Sequence, residues 1–300
     1  MWFSGVYHLI IPIITGFLKE ALLYMQVIGI GDNVVDKYIN LNKMFPGGNA
    51  LNFSVYAKKQ GINSAYIGIF GNDKAANHIN NILSKLNIDT SHCRYYDGEN
   101  AYAEVSLKNG DRKFIGTNKG GIASQHPLKL SATDLEYIKS FNLIHTSCYS
   151  NIESELIKLN KLAIPISFDF SENFQKEYLK KVCPYITFSF FSCANLSEKE
   201  SIQILKSAVK HGSLFAVATR GEKGALLLYH DKLYYQEAKN INPKDTLGAG
   251  DAFITGFLLE LLQTKFNYSD KKIESSLETG VKYAAKYCKV NGAFGEGKKI

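Results

Sequence analysis

Short apolar runs alternate with amphipathic stretches along most of this 300-residue chain. Six runs are too short for helices and read as buried strands: Val27–Gly31, Ser64–Ile69, Leu143–Thr146, Ile164–Phe170, Ile186–Phe190 and Leu214–Thr219. Apolar residues recur at helical spacing over about 49–60, 73–86, 152–162, 173–181, 197–210, 248–262 and 271–288. Apolar strands alternating with helices predict a mostly parallel sheet covered on both faces. Ligands in such folds bind beyond the carboxyl ends of the strands, so chemistry is expected in the residues that follow them.

Two segments break the alternation. Tyr38–Phe45 reads as short and extended. Tyr102–Leu107 and Arg112–Ile115 flank Lys108-Asn109-Gly110-Asp111, and Asn-Gly between such runs signals a hairpin turn. These segments, near 37–46 and 100–118, predict a small antiparallel flap; a plain surface hairpin is the other reading. A further hairpin is expected to join Ala225–Tyr229 to Leu233–Gln236. At the start of the chain, Val6–Tyr24 is apolar but broken by Pro12, Gly16, Lys19 and Glu20. That makes a poor spanning helix, and a cleaved signal would have a basic stretch before it. Met25 stands directly before the first strand. Residues 1–24 are therefore expected to be an N-terminal extension outside the fold, with 25–300 as the working domain.

The chain is 45% hydrophobic and 21% charged, an ordinary globular balance able to bury a sizeable core. Its net charge of +7 comes from lysines spread along the sequence. That pattern suits anionic small ligands and argues against a nucleic-acid face. Five cysteines occur without metal-like spacing, as free thiols of a reducing, cytoplasmic compartment would.

The most telling string is Asp245-Thr246-Leu247-Gly248-Ala249-Gly250-Asp251, which runs straight into an apolar helix. First-turn amides have no partner inside a helix, and the positive end of its dipole lies there. Gly248, Ala249 and Gly250 leave that turn bare enough for a phosphate, and Asp251 stands beside it to take a hydroxyl proton. The plain alternative is a tight loop with a helix-stabilising aspartate. After the first strand comes Gly29-Ile30-Gly31-Asp32-Asn33-Val34-Val35-Asp36. Val34 occupies the third glycine position of a dinucleotide fingerprint, which excludes that motif. What remains is a pair of carboxylates, Asp32 and Asp36, able to grip vicinal hydroxyls or, equally, to cap the local backbone. In Pro46-Gly47-Gly48-Asn49-Ala50-Leu51-Asn52 the glycines allow close backbone approach. Asn49 reads as an N-cap there, with Asn52 one turn on. Asn195-Leu196-Ser197-Glu198 and Thr219-Arg220-Gly221-Glu222-Lys223-Gly224 each follow a strand; a capped helix start and a glycine turn are their bland readings. No G-x-x-x-x-G-K-[ST] string is present, which excludes a P-loop kinase.

In their order and spacing, from residue 26 to about 293, these strings resemble the signatures of the ribokinase-like (PfkB) family of carbohydrate kinases. The resemblance implies an α/β fold, a three-layer sandwich with a mostly parallel sheet and a small antiparallel β lid over a sugar. It implies Asp251 as general base, with the amides of Gly248, Ala249 and Gly250 as its anion cradle. Asp36, Gly48 and Asn52, joined by Asp32 and Asn49, would bind sugar. Thr219, Gly221, Gly224, Thr246, Gly248 and Gly250 would bind nucleotide, and Gly280 to Ala293 would wall the adenine pocket. Asn195 and Glu198 would serve Mg²⁺. ATP and Mg²⁺ are the implied cofactors, with K⁺ an open addition. A sugar is the implied partner, with a possible homodimer through the lid and neither nucleic acid nor membrane. Within the family, Gly31-Asp32-Asn33, Asp36, Gly47-Gly48-Asn49-Ala50, Asn52 and Val55-Tyr56 look most like the branch that phosphorylates C6 of fructoselysine. Fructokinase, ribokinase, 2-keto-3-deoxygluconate kinase, nucleoside kinase and a catalytically silent sugar-binding protein are the alternatives.

Overall fold

Alternation of side chains along the strands decides how the chain layers. The computed structural model describes residues 25–108, 111–263 and 268–300. The expected extension at 1–24 and the turn residues Asn109 and Gly110 lie outside them. In chain order the strands are β1 (Gln26–Gly31), β2 (Val34–Tyr38), β3 (Lys43–Gly47), β4 (Asn63–Phe70), β5 (Arg94–Tyr95), β6 (Tyr102–Lys108), β7 (Asp111–Thr117), β8 (Leu143–Ser147), β9 (Ile166–Asp169), β10 (Phe188–Ser192), β11 (Phe215–Thr219), β12 (Ala225–Tyr229), β13 (Lys232–Gln236) and β14 (Lys298–Lys299).

Nine strands form the main sheet in the order β13-β12-β11-β10-β9-β8-β1-β4-β5. From β5 to β11 every neighbouring pair is parallel, and the β11–β12 and β12–β13 pairs are antiparallel. Adjacent residues on a strand go to opposite faces. Ile28, Phe168, Phe191 and Ala218 pack on one side with the residues of helices Leu156–Asn160, Lys176–Val182 and Glu198–Lys210. Val27, Phe190, Phe215 and Val217 pack on the other with helices Ala249–Leu262 and Asp270–Tyr287. The result is helix, sheet, helix, as a largely apolar parallel sheet buried on both faces requires. Each fully buried Phe of these clusters contributes on the order of 2–3 kcal/mol of transfer free energy. Among the described residues, no helix is long and apolar enough to cross a membrane.

The five remaining strands make a smaller sheet, β14-β3-β2-β6-β7, antiparallel except for the β2–β6 pair. Here the structure departs from the sequence pattern. Tyr38–Phe45 is not one extended piece: β2 ends at Tyr38, a 3₁₀ turn spans Ile39–Leu41, and Asn42 at φ 48 reverses the chain into β3. Helices Gly121–Gln125 and Ala132–Ile138 escaped the pattern because five and seven residues are too few to show a helical period. The helix expected over 152–162 shrinks to Leu156–Asn160.

Helix Ala132–Ile138 is tied to β5 by Asp134, which accepts from Arg94, His92 and the Ser131 amide. Burial alone would raise this carboxyl, but hydrogen bonds from His92, Ser131 and Arg94 outweigh it and hold it at about 2, against 3.8 ordinarily. A depressed pKa gives stability that is present above the unfolded value and lost as pH falls through the folded one. Asp134→Asn is therefore expected to lower the melting temperature at neutral pH and to flatten its decline between pH 3.8 and about 2. Melting curves across that range that parallel those of the parent protein would refute the tie.

Candidate active site

Two helix starts meet at the carboxyl edge of the main sheet. Helix Asn49–Lys59 begins after β3 with Gly48, not Asn49, as its N-cap. Gly48 has φ 109, and a Cβ there would lie 2.7 Å from the Asp32 carbonyl oxygen, so only glycine fits this turn. The capping carboxylate comes from elsewhere in the chain. Asp32 Oδ2 accepts the Asn49 amide at 2.6 Å and Oδ1 accepts the Ala50 amide at 3.3 Å. Oδ1 also accepts from Ser147 at 2.9 Å and Ser150 at 2.8 Å. Through these four donors Asp32 ties the helix start to the end of β1 and to the turn after β8.

Asp36 is buried on β2, facing Gly47, where a Cβ would lie 2.6 Å from its Oδ2. One turn into the helix, Asn52 is 2% exposed and donates Nδ2 to Asp251 Oδ2 at 2.7 Å. Its Oδ1 has no partner among the described residues. An ionised carboxylate only accepts, so the amide nitrogen must face Asp251 and the orphan oxygen faces away. A buried acceptor left unpaired is costly, and a ligand hydroxyl would satisfy it.

Helix Ala249–Leu262 begins at Gly248, with φ 69 and no side-chain cap, and carries Asp251 in its first turn. A Cβ on Gly248 would lie 2.5 Å from the Tyr56 hydroxyl and 2.7 Å from Ala293. Gly250 differs: a Cβ there would meet nothing within 4 Å. Packing does not require this glycine, and its bare turn opens on a cavity. The cradle is narrower than the sequence suggests, because the Ala249 amide already donates to the Thr246 carbonyl at 3.2 Å.

The cavity measures about 1060 Å³ and runs along the carboxyl ends of β9, β10 and β11. Asn49, Asp169 and Tyr149 line one end; Asp251 and Gly248–Gly250 are on its wall; Thr219, Gly221 and Gly224 are on its wall as well. From the C-terminal helix, Val281, Ala284, Ala285 and Cys288 complete it. Gly280 is absent from this wall, since its Cβ position is filled by Phe253 at 3.0 Å, where two helices pack. Thr246 is also on the wall; Asp32, Asp36, Gly48 and Asn52 are not among its lining residues.

Asn195 is exposed, and the helix after it is capped by Ser197 in a capping box with Glu200. Glu198 Oε2 accepts from buried Arg220 at 3.1 Å, which joins the Asn195–Glu198 string to the glycine turn. Asp169, at the carboxyl end of β9, was missed by the motif search. It accepts from Asn49 Nδ2 and the Ser171 amide, and burial pushes its carboxyl up to about 6. Its position after a strand was the available signal.

A capless helix start bearing a carboxylate, on a long cleft at the carboxyl edge of a parallel sheet, defines a phosphate-handling transferase. A model of the pfkB family of carbohydrate kinases matches residues 22–295, and the chain belongs to that family, whose enzymes phosphorylate an alcohol group. It is 44% identical over 274 residues to the fructosamine kinase FrlD of Bacillus subtilis, covering 91% of this chain and 94% of the relative. It is 31% identical over 230 residues to the fructoselysine 6-kinase of Escherichia coli, covering 76% and 86%. The fold matches Vibrio cholerae fructokinase bound to fructose, ADP and potassium (TM-score 0.73, 20% identity, 90% and 94% covered). It also matches Arabidopsis thaliana ribokinase complexed with ribose and ATP (TM-score 0.73, 18% identity, 90% and 94% covered).

Gly250→Ala separates packing from function. Alanine is favoured over glycine in a helix by roughly 1 kcal/mol, so stability should hold or rise. The methyl group would occupy the cavity wall, and kcat/KM for ATP is expected to fall at least about tenfold, the equivalent of one lost hydrogen bond to charge. Unchanged kinetics would mean that no phosphate approaches this turn.

Proposed function

We propose that this enzyme transfers the γ-phosphoryl group of ATP to the C6 hydroxyl of a fructosamine such as fructoselysine. The observation that carries the reading is Asp251 itself: a buried carboxylate oriented by Asn52 on the cavity wall, one residue past the open Gly250. The likeness to two relatives named for fructosamine and fructoselysine favours that substrate over fructose or ribose.

In this mechanism Asp36, Gly48, Asn49 and Asn52 hold the sugar, with the Asn52 orphan oxygen accepting one of its hydroxyls. Asp32 acts by fixing the helix start that carries the two asparagines. Asp251 takes the proton of the primary hydroxyl as that oxygen attacks the phosphorus, and the ADP oxygen leaves opposite it. The amides of Gly248 and Gly250 stabilise charge on the transferring group. Thr219, Gly221, Gly224 and Thr246 seat the nucleotide. Among the described residues no set of three His, Cys, Asp or Glu could hold a metal ion, and Glu198 is engaged by Arg220. So sparse a donor set would suit a Mg²⁺ held mainly by phosphate and water, and Asn195 and Glu198 are the residues that would serve it. When bound, the ion neutralises phosphate charge. The small sheet serves as the lid, excluding water from the transfer. Its edge strand β7 exposes Phe114 and Ile115, the face through which a second copy would pair. The five free thiols fit a cytoplasmic enzyme.

The direct test is ADP release with fructoselysine, fructose, ribose, 2-keto-3-deoxygluconate and adenosine. Fructoselysine should give the highest kcat/KM; a rate no higher than the sugar-free control with all five would sink the reading. Asp251→Asn should keep sugar and ATP binding while cutting turnover by roughly 10²–10⁴, the usual worth of a general base. A variant turning over like wild type would remove Asp251 from that role. Asp36→Ala should weaken sugar binding far more than ATP binding, and calorimetry giving the opposite order would overturn the sugar-site assignment.

A further inference from the structure

Tyr38 takes no part in the contacts assigned above, yet its hydroxyl bridges the small sheet and the anion turn. It donates to Asp245 Oδ2 at 2.7 Å, and both residues are fully buried. Asp245 also accepts the Gly292 amide at 2.8 Å on Oδ2 and the Leu247 amide at 3.0 Å on Oδ1. Leu247 itself packs among Tyr38, Phe45, Val105 and Leu107, the apolar face of the small sheet. The turn that opens helix Ala249–Leu262 is thus held to β2 twice, by a hydrogen bond to a buried carboxylate and by an apolar plug. Asp36 and Tyr38 lie two residues apart on β2, so both side chains leave the strand on the same face.

We propose that Tyr38 is a positioning residue that carries sugar occupancy at Asp36 to the phosphate cradle through Asp245. The inference rests on the sugar-kinase reading. Sugar on Asp36 fixes β2; Tyr38, in register with Asp36, then fixes Asp245; Asp245 fixes the Leu247 amide, the residue directly before Gly248. The nucleotide meets a cradle already ordered when sugar is bound. Linkage is reciprocal, so bound nucleotide tightens sugar by the same factor.

The test is calorimetric titration of a non-hydrolysable ATP analogue, with and without saturating fructoselysine, into wild type, Tyr38→Phe, Leu247→Ala and Tyr234→Phe. Tyr234 donates in the same way to the exposed carboxylate of Asp270, at 2.5 Å, at the far edge of the main sheet, and serves as the control away from the site. Wild type and Tyr234→Phe should bind the analogue more tightly when sugar is present. Tyr38→Phe should lose about tenfold of that enhancement, the worth of one hydrogen bond to a buried charge, with sugar-free affinity within about twofold of wild type. Leu247→Ala, which keeps the hydroxyl and loosens the plug, should lose part of it. Full coupling in both variants overturns the proposal and leaves Tyr38 a packing residue. Wild type that binds the analogue but no sugar overturns the kinase reading and the inference with it, an outcome distinct from the first.

Discussion

One hydrogen bond, from Asn52 to Asp251 across 199 positions of sequence, makes a single site of two distant strings. A buried carboxylate without donors would cost several kcal/mol or take up a proton, and a protonated Asp251 could not serve as a base. The Asn52 amide supplies a donor at 2.7 Å and points the carboxylate. The same bond fixes which end of the amide remains for a ligand. Had Asn52 been an aspartate, two carboxylates would face each other and one would be neutral. Had it been leucine, Asp251 would lose this donor. Only a side chain with a donor and an acceptor on one carbon does both tasks.

The two helix starts at the cleft show how the protein divides its unsatisfied backbone groups. Both begin at glycines with positive φ, Gly48 at 109 and Gly248 at 69. At the first, Asp32 reaches back from the end of β1 and satisfies two amides. At the second, the N-cap residue offers no side chain, and the nearby Asp245 is turned instead to Leu247, Gly292 and Tyr38. One positive helix end is closed by the protein's own anion, and the other is left for an incoming one. The closed end is the one that must stay rigid, since it carries Asn49 and Asn52.

Much of this was legible in the chain. All six expected strands formed within two residues of their predicted bounds, because parallel strands buried on both faces are simple apolar runs. The anion turn and the asparagine helix were legible because glycines and amides at a strand end have few other uses. What escaped had weak local signals. Asp169 stands in Phe168-Asp169-Phe170, which reads only as a strand end; its place on the cavity wall depends on β8 and β10 lying beside it. Nothing in the segment of Asp32 reveals its bonds to Ser147 and Ser150, more than 110 residues away. Asn195 looked like a cap, but Ser197 with Glu200 three residues on makes the stronger capping box. Gly280 looked like part of a binding wall, and the packing of Phe253 settled otherwise.

Some of the local penalties in this structure gather at the cleft. Gly250 at the start of a helix and the carboxyl of Asp169, raised to about 6 by burial, are on the wall of one cavity, and the unpartnered Asn52 Oδ1 belongs to the residue that orients Asp251 on that wall. A chain selected for stability alone would replace two of these at little risk: alanine for Gly250 and asparagine for Asp169. Helix propensity and polar satisfaction are both relaxed at these positions. The failures share a chemical sense. They leave an open acceptor, a bare amide turn and an acid able to change protonation near neutral pH, the set a phosphoryl transfer to an alcohol calls for. The Tyr38–Asp245 bond lies just outside this group and is fully satisfied, so the strain of the site is borne by a frame that is itself without strain.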